Sequence, residues 1–154
     1  MNAAGGAPPA AARRPAWERL PLLVLGFVAL FAGIGAGLAR LGWAMPEVAA
    51  GAAAWHGPLM ICGFFGVVIG LERAVAIGRW WTYAAPALAA IGAVALVLGA
   101  SAFASGAFLL AGIALVVNSS IVVARQLALF TIVLAIAAAC WVIGTLAWIT
   151  GAAA

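Results

Sequence analysis

His56 is the residue whose chemistry stands out, because it is the only histidine in the 154-residue chain. It lies in an apolar segment and precedes Met60 by four residues, a spacing that puts both side chains on one face of a helix. Neutral imidazole is a common ligand of haem iron and copper. His56 is therefore a candidate haem or copper ligand, with Met60 beside it. The alternative is a histidine that only hydrogen-bonds a neighbouring helix.

Asn118 is a further candidate residue, because it is polar and lies inside an apolar segment. A side-chain amide cannot satisfy itself in hydrocarbon, so Asn118 is expected to face the interior of a helical bundle. It is a candidate cofactor-binding residue in support of His56. The neighbouring serines, Ser119 and Ser120, can instead bond their own helix backbone.

Glu72 and Arg73 form an acid–base pair sixteen and seventeen residues after His56. A helix rises about 1.5 Å per residue, so the pair lies about 24 Å from the imidazole and cannot share a site with it. We expect Glu72, Arg73 and Arg125 to form a structural ion-pair group, in which Glu72 turns inward and pairs with Arg125 of another helix. The alternative is an interfacial arginine that extends to lipid phosphate.

Composition identifies the class of protein. Hydrophobic residues make up 69% of the chain and charged residues 6%, with a mean hydropathy of +1.29, whereas soluble domains have about 25% charged residues. The sequence predicts an all-α, integral membrane helical bundle whose solvent is the lipid bilayer. The net charge of +4 comes from scattered arginines, which form no basic face for nucleic acid.

Five apolar segments predict about five transmembrane helices. Their expected ranges are 20–38, 48–71, 84–100, 105–124 and 127–149. Residues 17–154 are expected to form a single transmembrane domain. Residues 1–16 are rich in Ala, Gly and Pro and are predicted to be a disordered N-terminal arm.

The distribution of arginines predicts the topology. With a cytoplasmic N-terminus, only Arg40 faces outward, and six arginines face the cytoplasm: Arg13, Arg14, Arg19, Arg73, Arg79 and Arg125. This asymmetry is typical of inner-membrane proteins. We therefore expect a multi-pass protein of the cell inner membrane, with His56 near the outer leaflet.

Glycines at helical spacing predict close helix packing. Gly26, Gly33 and Gly37 share one face of the first segment, and His56 lies on a glycine-lined face of the second. Small residues let membrane helices approach closely. These faces fit packing within the chain, a homo-oligomer, or a partner membrane protein. Pro58 is expected to kink the second helix next to His56.

Several motifs around His56 resemble a pattern in uncharacterised bacterial membrane proteins that are distantly similar to the NnrS family, whose members contain haem and copper. The matching residues are His56-Gly57-Pro58-Leu59-Met60, Gly63-Phe64-Phe65-Gly66, Leu71-Glu72-Arg73-Ala74, Trp81-x-Tyr83-x-x-Pro86 and Trp141-x-x-Gly144-x-x-x-Trp148. The resemblance covers residues 50–90 and, more weakly, 140–150. It implies a haem- or copper-binding role for His56, although NnrS members are longer and have more histidines.

These observations favour a small bacterial inner-membrane protein that binds haem or copper through His56, with Met60 and Asn118 in support. The alternative is a cofactor-free structural or assembly subunit that docks a partner membrane protein. A channel or transporter is less favoured, because few polar residues are available to line a path. Three acids and one histidine offer little for acid–base catalysis, so the sequence leans away from an enzyme.

Overall fold

The computed structural model describes residues 16–151, and all regular structure in this range is helical. Five helices are long and apolar enough to cross a membrane. This confirms the all-α class and the five predicted segments. The predicted N-terminal arm, with Arg13 and Arg14, lies outside the described residues except for Ala16.

Six helices are labelled here in chain order: α1 (Leu20–Arg40), α2 (Glu47–Gly51), α3 (Ala53–Ile77), α4 (Ala84–Val97), α5 (Ser101–Arg125) and α6 (Leu129–Ile149). A 3₁₀ turn, Ala16–Arg19, leads into α1, and a second one, Trp80–Tyr83, leads into α4. All except the short α2 belong to the five candidate spans.

The bounds of α3 differ most from the sequence prediction of 48–71. Its start is later because Glu47–Gly51 forms the separate helix α2. Its end is later because the helix continues past the charged pair to Ile77 and stops at Gly78, which has a φ of 75°. The prediction stopped at the first charges, but Arg73 is buried in the bundle, so its charge does not end the helix.

Irregular turns occupy the first half of α3. A 3₁₀ turn at Ala53–Trp55 is followed by an α-turn at His56–Pro58, a π-helix at Leu59–Phe65 and a regular α-helix from Gly66. Pro58 has no backbone N–H to donate and its ring crowds the preceding turn. The π-helical turns begin directly after it. The predicted disturbance at Pro58 therefore takes the form of a π-helix, a rare structure that is frequent at functional sites.

Glycines bring α3 into close contact with α1 and α4. A Cβ atom at Gly26 would lie 3.0 Å from Val67, and one at Gly63 would lie 3.0 Å from Ala29 of α1. A Cβ at Gly70 would lie 3.0 Å from Pro86 of α4. Because glycine has no Cβ, the backbone at these positions packs directly against side chains of the neighbouring helix, as the glycine spacing predicted.

Trp141 holds α6 against the rest of the bundle. Its ring packs with all three buried apolar clusters. A Cβ at Gly66 of α3 would lie 2.6 Å from Trp141 Cη2, and one at Gly112 of α5 would lie 3.6 Å from the ring. The indole thus fills the space that two glycines leave between α3 and α5.

Gly66→Ala is expected to destabilise the fold by forcing Trp141 out of its position. The new methyl group would also meet Ala89 Cβ at 3.1 Å, and overpacking of this kind costs about 1–3 kcal/mol. The matched control is Gly144→Ala in α6, where a Cβ has no neighbour within 4 Å. Unfolding in detergent with increasing dodecyl sulfate, followed by tryptophan fluorescence, measures both variants. Equal stability of the two variants would contradict the packing of Trp141 described here.

Candidate functional site

His56 bridges α3 and α1. Its Nδ1 lies 2.7 Å from the backbone carbonyl oxygen of Gly33. A carbonyl oxygen only accepts hydrogen bonds, so Nδ1 carries the proton and donates it. The bond fixes the ring in one orientation and leaves Nε2 as the free nitrogen.

The imidazole fits here because α1 has no side chain at the contact. A Cβ atom at Gly37 would lie 2.8 Å from His56 Nδ1 and 2.9 Å from Cε1. Gly37 therefore makes the space for the ring, while Gly33, one turn earlier, supplies the acceptor. The pair of glycines forms a seat for the imidazole on the surface of α1.

Met60 packs against Gly33 of α1. A Cβ at Gly33 would be 2.8 Å from Met60 Sδ and 3.1 Å from Cγ. The structure thus brings His56 and Met60 onto one face of α3, as their spacing predicted. In this position the thioether sulfur packs on the α1 backbone, and Met60 thus contributes to the close packing of α1 and α3.

Nε2 of His56 is accessible. The ring is half-buried, and its hydrogen bond to α1 uses Nδ1, so Nε2 is left without a partner in the described part of the chain but is not fully enclosed. Histidines that bind metals usually donate their second ring nitrogen to a carbonyl or a carboxylate. His56 has this arrangement, with Gly33 as the acceptor.

His56 alone does not form a metal centre, so a bound metal would need further ligands. Within residues 16–151 no group of three or more His, Cys, Asp or Glu side chains could hold a metal. Three cavities of about 110–200 Å³ lie between the helices, and His56 lines none of them. Among the described residues, His56 therefore has no cluster of further ligand side chains around it, and none of these three cavities adjoins it.

Asn118 lies at the other end of the bundle. It is buried in α5, and its Nδ2 donates to the Thr82 carbonyl at 2.9 Å. The Thr82 hydroxyl lies 2.6 Å from the Arg79 carbonyl and 3.4 Å from that of Ala74. Ala74 is eighteen residues after His56, about 27 Å along a helix. The structure does not bring Asn118 to the imidazole.

Glu72, Arg73 and Arg125 share this second end but have different surroundings. Arg125 Nη1 lies 3.5 Å from the Ala76 carbonyl and 3.4 Å from that of Ile77, at the end of α3. A cation is favourable there because the last carbonyls of a helix carry partial negative charge. Glu72 is exposed, whereas Arg73 is only 3% exposed.

A family model described as a domain of unknown function, DUF8744, matches residues 19–154. The chain belongs to the DUF8744 family. The match includes all six helices, and thus His56, its glycine seat and the buried Arg73 all lie within the DUF8744 domain. No curated protein and no solved structure matches the chain.

Sequence reasoning missed two features of this DUF8744 chain. The acceptor for His56 is a backbone carbonyl, which residue types do not predict. The spacing of Gly33 and Gly37 indicated only that a close helix contact lies there. The burial of Arg73 had a signal in its position seven residues after Gly66, which puts both on the same face of α3. The expectation that arginine extends to the membrane interface obscured that signal.

Nitrogen-15 NMR of histidine-labelled protein tests the bond between His56 and Gly33. The single histidine gives one pair of ring signals, and at high pH, where imidazole is neutral, Nδ1 is expected to be the protonated nitrogen. Gly37→Ala should displace the ring and shift both signals. The control is Gly57→Ala, next to His56, where a Cβ has no neighbour within 4 Å. A proton found on Nε2 in the unaltered protein would rule the bond out.

Proposed function

We propose that the chain is a multi-pass protein of a bacterial inner membrane that binds haem iron or a copper ion through His56 Nε2. The observation that carries the proposal is the 2.7 Å hydrogen bond from Nδ1 to Gly33. This bond aims Nε2 away from α1 and fixes the tautomer that a metal ligand requires.

Preorganisation is the main contribution of the fold to such a site. The ring is held by its donor bond and by the space over Gly37, so little rotational freedom remains to be lost on binding. The π-helix that begins three residues later is also typical of functional positions. The resemblance of the His56 segment to NnrS-type proteins points to the same chemistry.

A single imidazole per chain requires further ligands from outside that side chain. Two copies of the chain would supply one Nε2 each to a shared haem iron or copper ion. When bound, haem would supply an iron able to take up further ligands, and copper would supply a redox-active ion. The chain's own part is to orient the imidazole and to surround it with apolar side chains.

The expected membrane topology places this site near the outer leaflet. The proposal puts the arginine-rich end of the bundle, with Arg73, Arg79 and Arg125, on the cytoplasmic side, following the preference of positive charge for that side. His56 then lies at the opposite end, close to the ring pair of Trp55 and Trp148, whose centroids are 5.8 Å apart.

One alternative has an observation in its favour. The bond from Nδ1 to Gly33 joins α1 to α3 whether or not Nε2 binds anything. In that case His56 stabilises a cofactor-free assembly subunit, and its replacement weakens the fold without removing a cofactor.

Absorption spectroscopy combined with metal analysis separates the two functions. Protein purified from haem-replete, copper-replete cells is expected to show a Soret band or stoichiometric copper, and His56→Ala should lose either one. Met60→Leu is the companion variant, and it should keep the metal because its sulfur packs against Gly33. Unaltered protein that is colourless and free of copper would refute metal binding, and a His56→Ala variant that is only less stable would favour the assembly role.

A further inference from the structure

Arg73 is a buried arginine, and one edge of its guanidinium group makes no hydrogen bond. Its side chain is 3% exposed, and both Nε and Nη2 are buried without a hydrogen-bond partner. These two N–H groups form the planar fork with which arginine holds two oxygens of a carboxylate or phosphate. An unpaired buried charge is among the most unfavourable groups in a protein interior.

Two further unpaired polar atoms lie on α5 at the same end of the bundle. Asn118 Oδ1 and Ser119 Oγ are both buried without a partner. Thr82 links this part of α5 to α3, because its carbonyl accepts from Asn118 and its hydroxyl approaches the Ala74 carbonyl. Arg73 precedes Ala74 and Ser119 follows Asn118, so the unpaired atoms belong to neighbouring turns of two linked helices.

No carboxylate among residues 16–151 is hydrogen-bonded to Nε or Nη2 of Arg73. The sequence contains three Glu and no Asp. Glu47 begins α2 at the His56 end, Glu72 is exposed, and Glu18 lines a cavity with Arg19 and Tyr83. The other charged groups near Arg73 are positive, with Arg125 at the end of α3 and Arg79 in the following turn. The described residues therefore leave the Nε–Nη2 edge of Arg73 without a counter-ion, which an external anion could provide.

We propose that Arg73, Asn118 and Ser119 form a binding site for a phosphate-type oxyanion, either free phosphate or the headgroup of an anionic lipid. Two anion oxygens accept from Nε and Nη2 of Arg73, and a third accepts from the Ser119 hydroxyl. A hydroxyl carried by the anion donates to Asn118 Oδ1, which can only accept. Each of these contacts would satisfy one of the atoms that lack a partner. The site is separate from His56.

Stability measurements with inorganic phosphate test the site. Delipidated, purified full-length protein in neutral detergent is titrated with phosphate against chloride at constant ionic strength, and thermal unfolding is recorded. A saturable rise in Tm with phosphate, and not with chloride, is expected. A parallel titration with phosphatidylglycerol micelles identifies a lipid headgroup as the natural source if it acts and phosphate does not. No effect of either probe would overturn the proposal.

Variants at Arg73 connect the effect to the guanidinium fork. Arg73→Met removes the charge and should abolish the response, while the protein without added anion becomes no less stable, because a buried unpaired charge is lost. Arg73→Lys keeps the charge but not the planar fork and should weaken the apparent affinity by about tenfold. Arg79→Met, at an exposed arginine of the same end, is the control and should respond like the unaltered protein.

Native mass spectrometry gives a readout that does not depend on the stability of the variants. The unaltered protein should retain one adduct, whose mass distinguishes phosphate from a phospholipid. Ser119→Ala should retain less of it, and the Arg79→Met control should retain it fully. An adduct that survives Arg73→Lys and Ser119→Ala undiminished would place the anion elsewhere and overturn the assignment.

Discussion

The close approach of α1 and α3 is the contact on which the rest of the bundle depends. Gly26, Gly33 and Gly37 leave three positions on one face of α1 without a side chain, and the opposing face of α3 fills the space with Val67, Met60 and His56. Lipid offers no hydrophobic driving force for helix association, so membrane helices associate through packing and hydrogen bonds. This contact uses both, because the same glycines admit the imidazole and expose the carbonyl that it binds.

The irregular first half of α3 allows this helix to serve several neighbours. His56, Met60 and Val67 face α1, whereas Gly63 touches both α1 and α4 and Gly70 packs on Pro86. Gly66 accepts the ring of Trp141 from α6. These close contacts explain the three glycines Gly63, Gly66 and Gly70 of α3.

The two ends of the bundle treat buried polar groups differently. At the His56 end the imidazole is hydrogen-bonded through one nitrogen and accessible through the other. At the Arg73 end several buried donors and acceptors have no partner. A buried polar group without a partner is unfavourable, and this is the physical reason for proposing a bound anion at the second end. The proposed metal ligand and the proposed anion site therefore lie at opposite ends of the bundle.

The amino-acid sequence by itself determined the all-helical class, the presence of five helices long and apolar enough to cross a membrane, and the helix faces that pack. These follow from composition, from the length of apolar segments and from the positions of glycines, all of which are local properties. The shared face of His56 and Met60 was likewise predictable from their spacing. The prediction could not assign the neighbours of each face, because one helix does not specify which other helix covers it.

Tertiary structure alone decided the roles of the polar residues. Asn118 was grouped with His56 because both are polar in apolar surroundings, yet the hydrogen bond to the Thr82 carbonyl holds it at the opposite end of the bundle. Glu72 was expected to turn inward and pair with Arg125, or Arg73 to extend to the interface, yet Glu72 is exposed and Arg73 is buried on the face of α3 that also carries Gly66. The acceptor of His56 is a backbone carbonyl that only the glycine contact between α1 and α3 exposes. Each of these outcomes depends on which helices are in contact, and residue types alone do not specify those contacts.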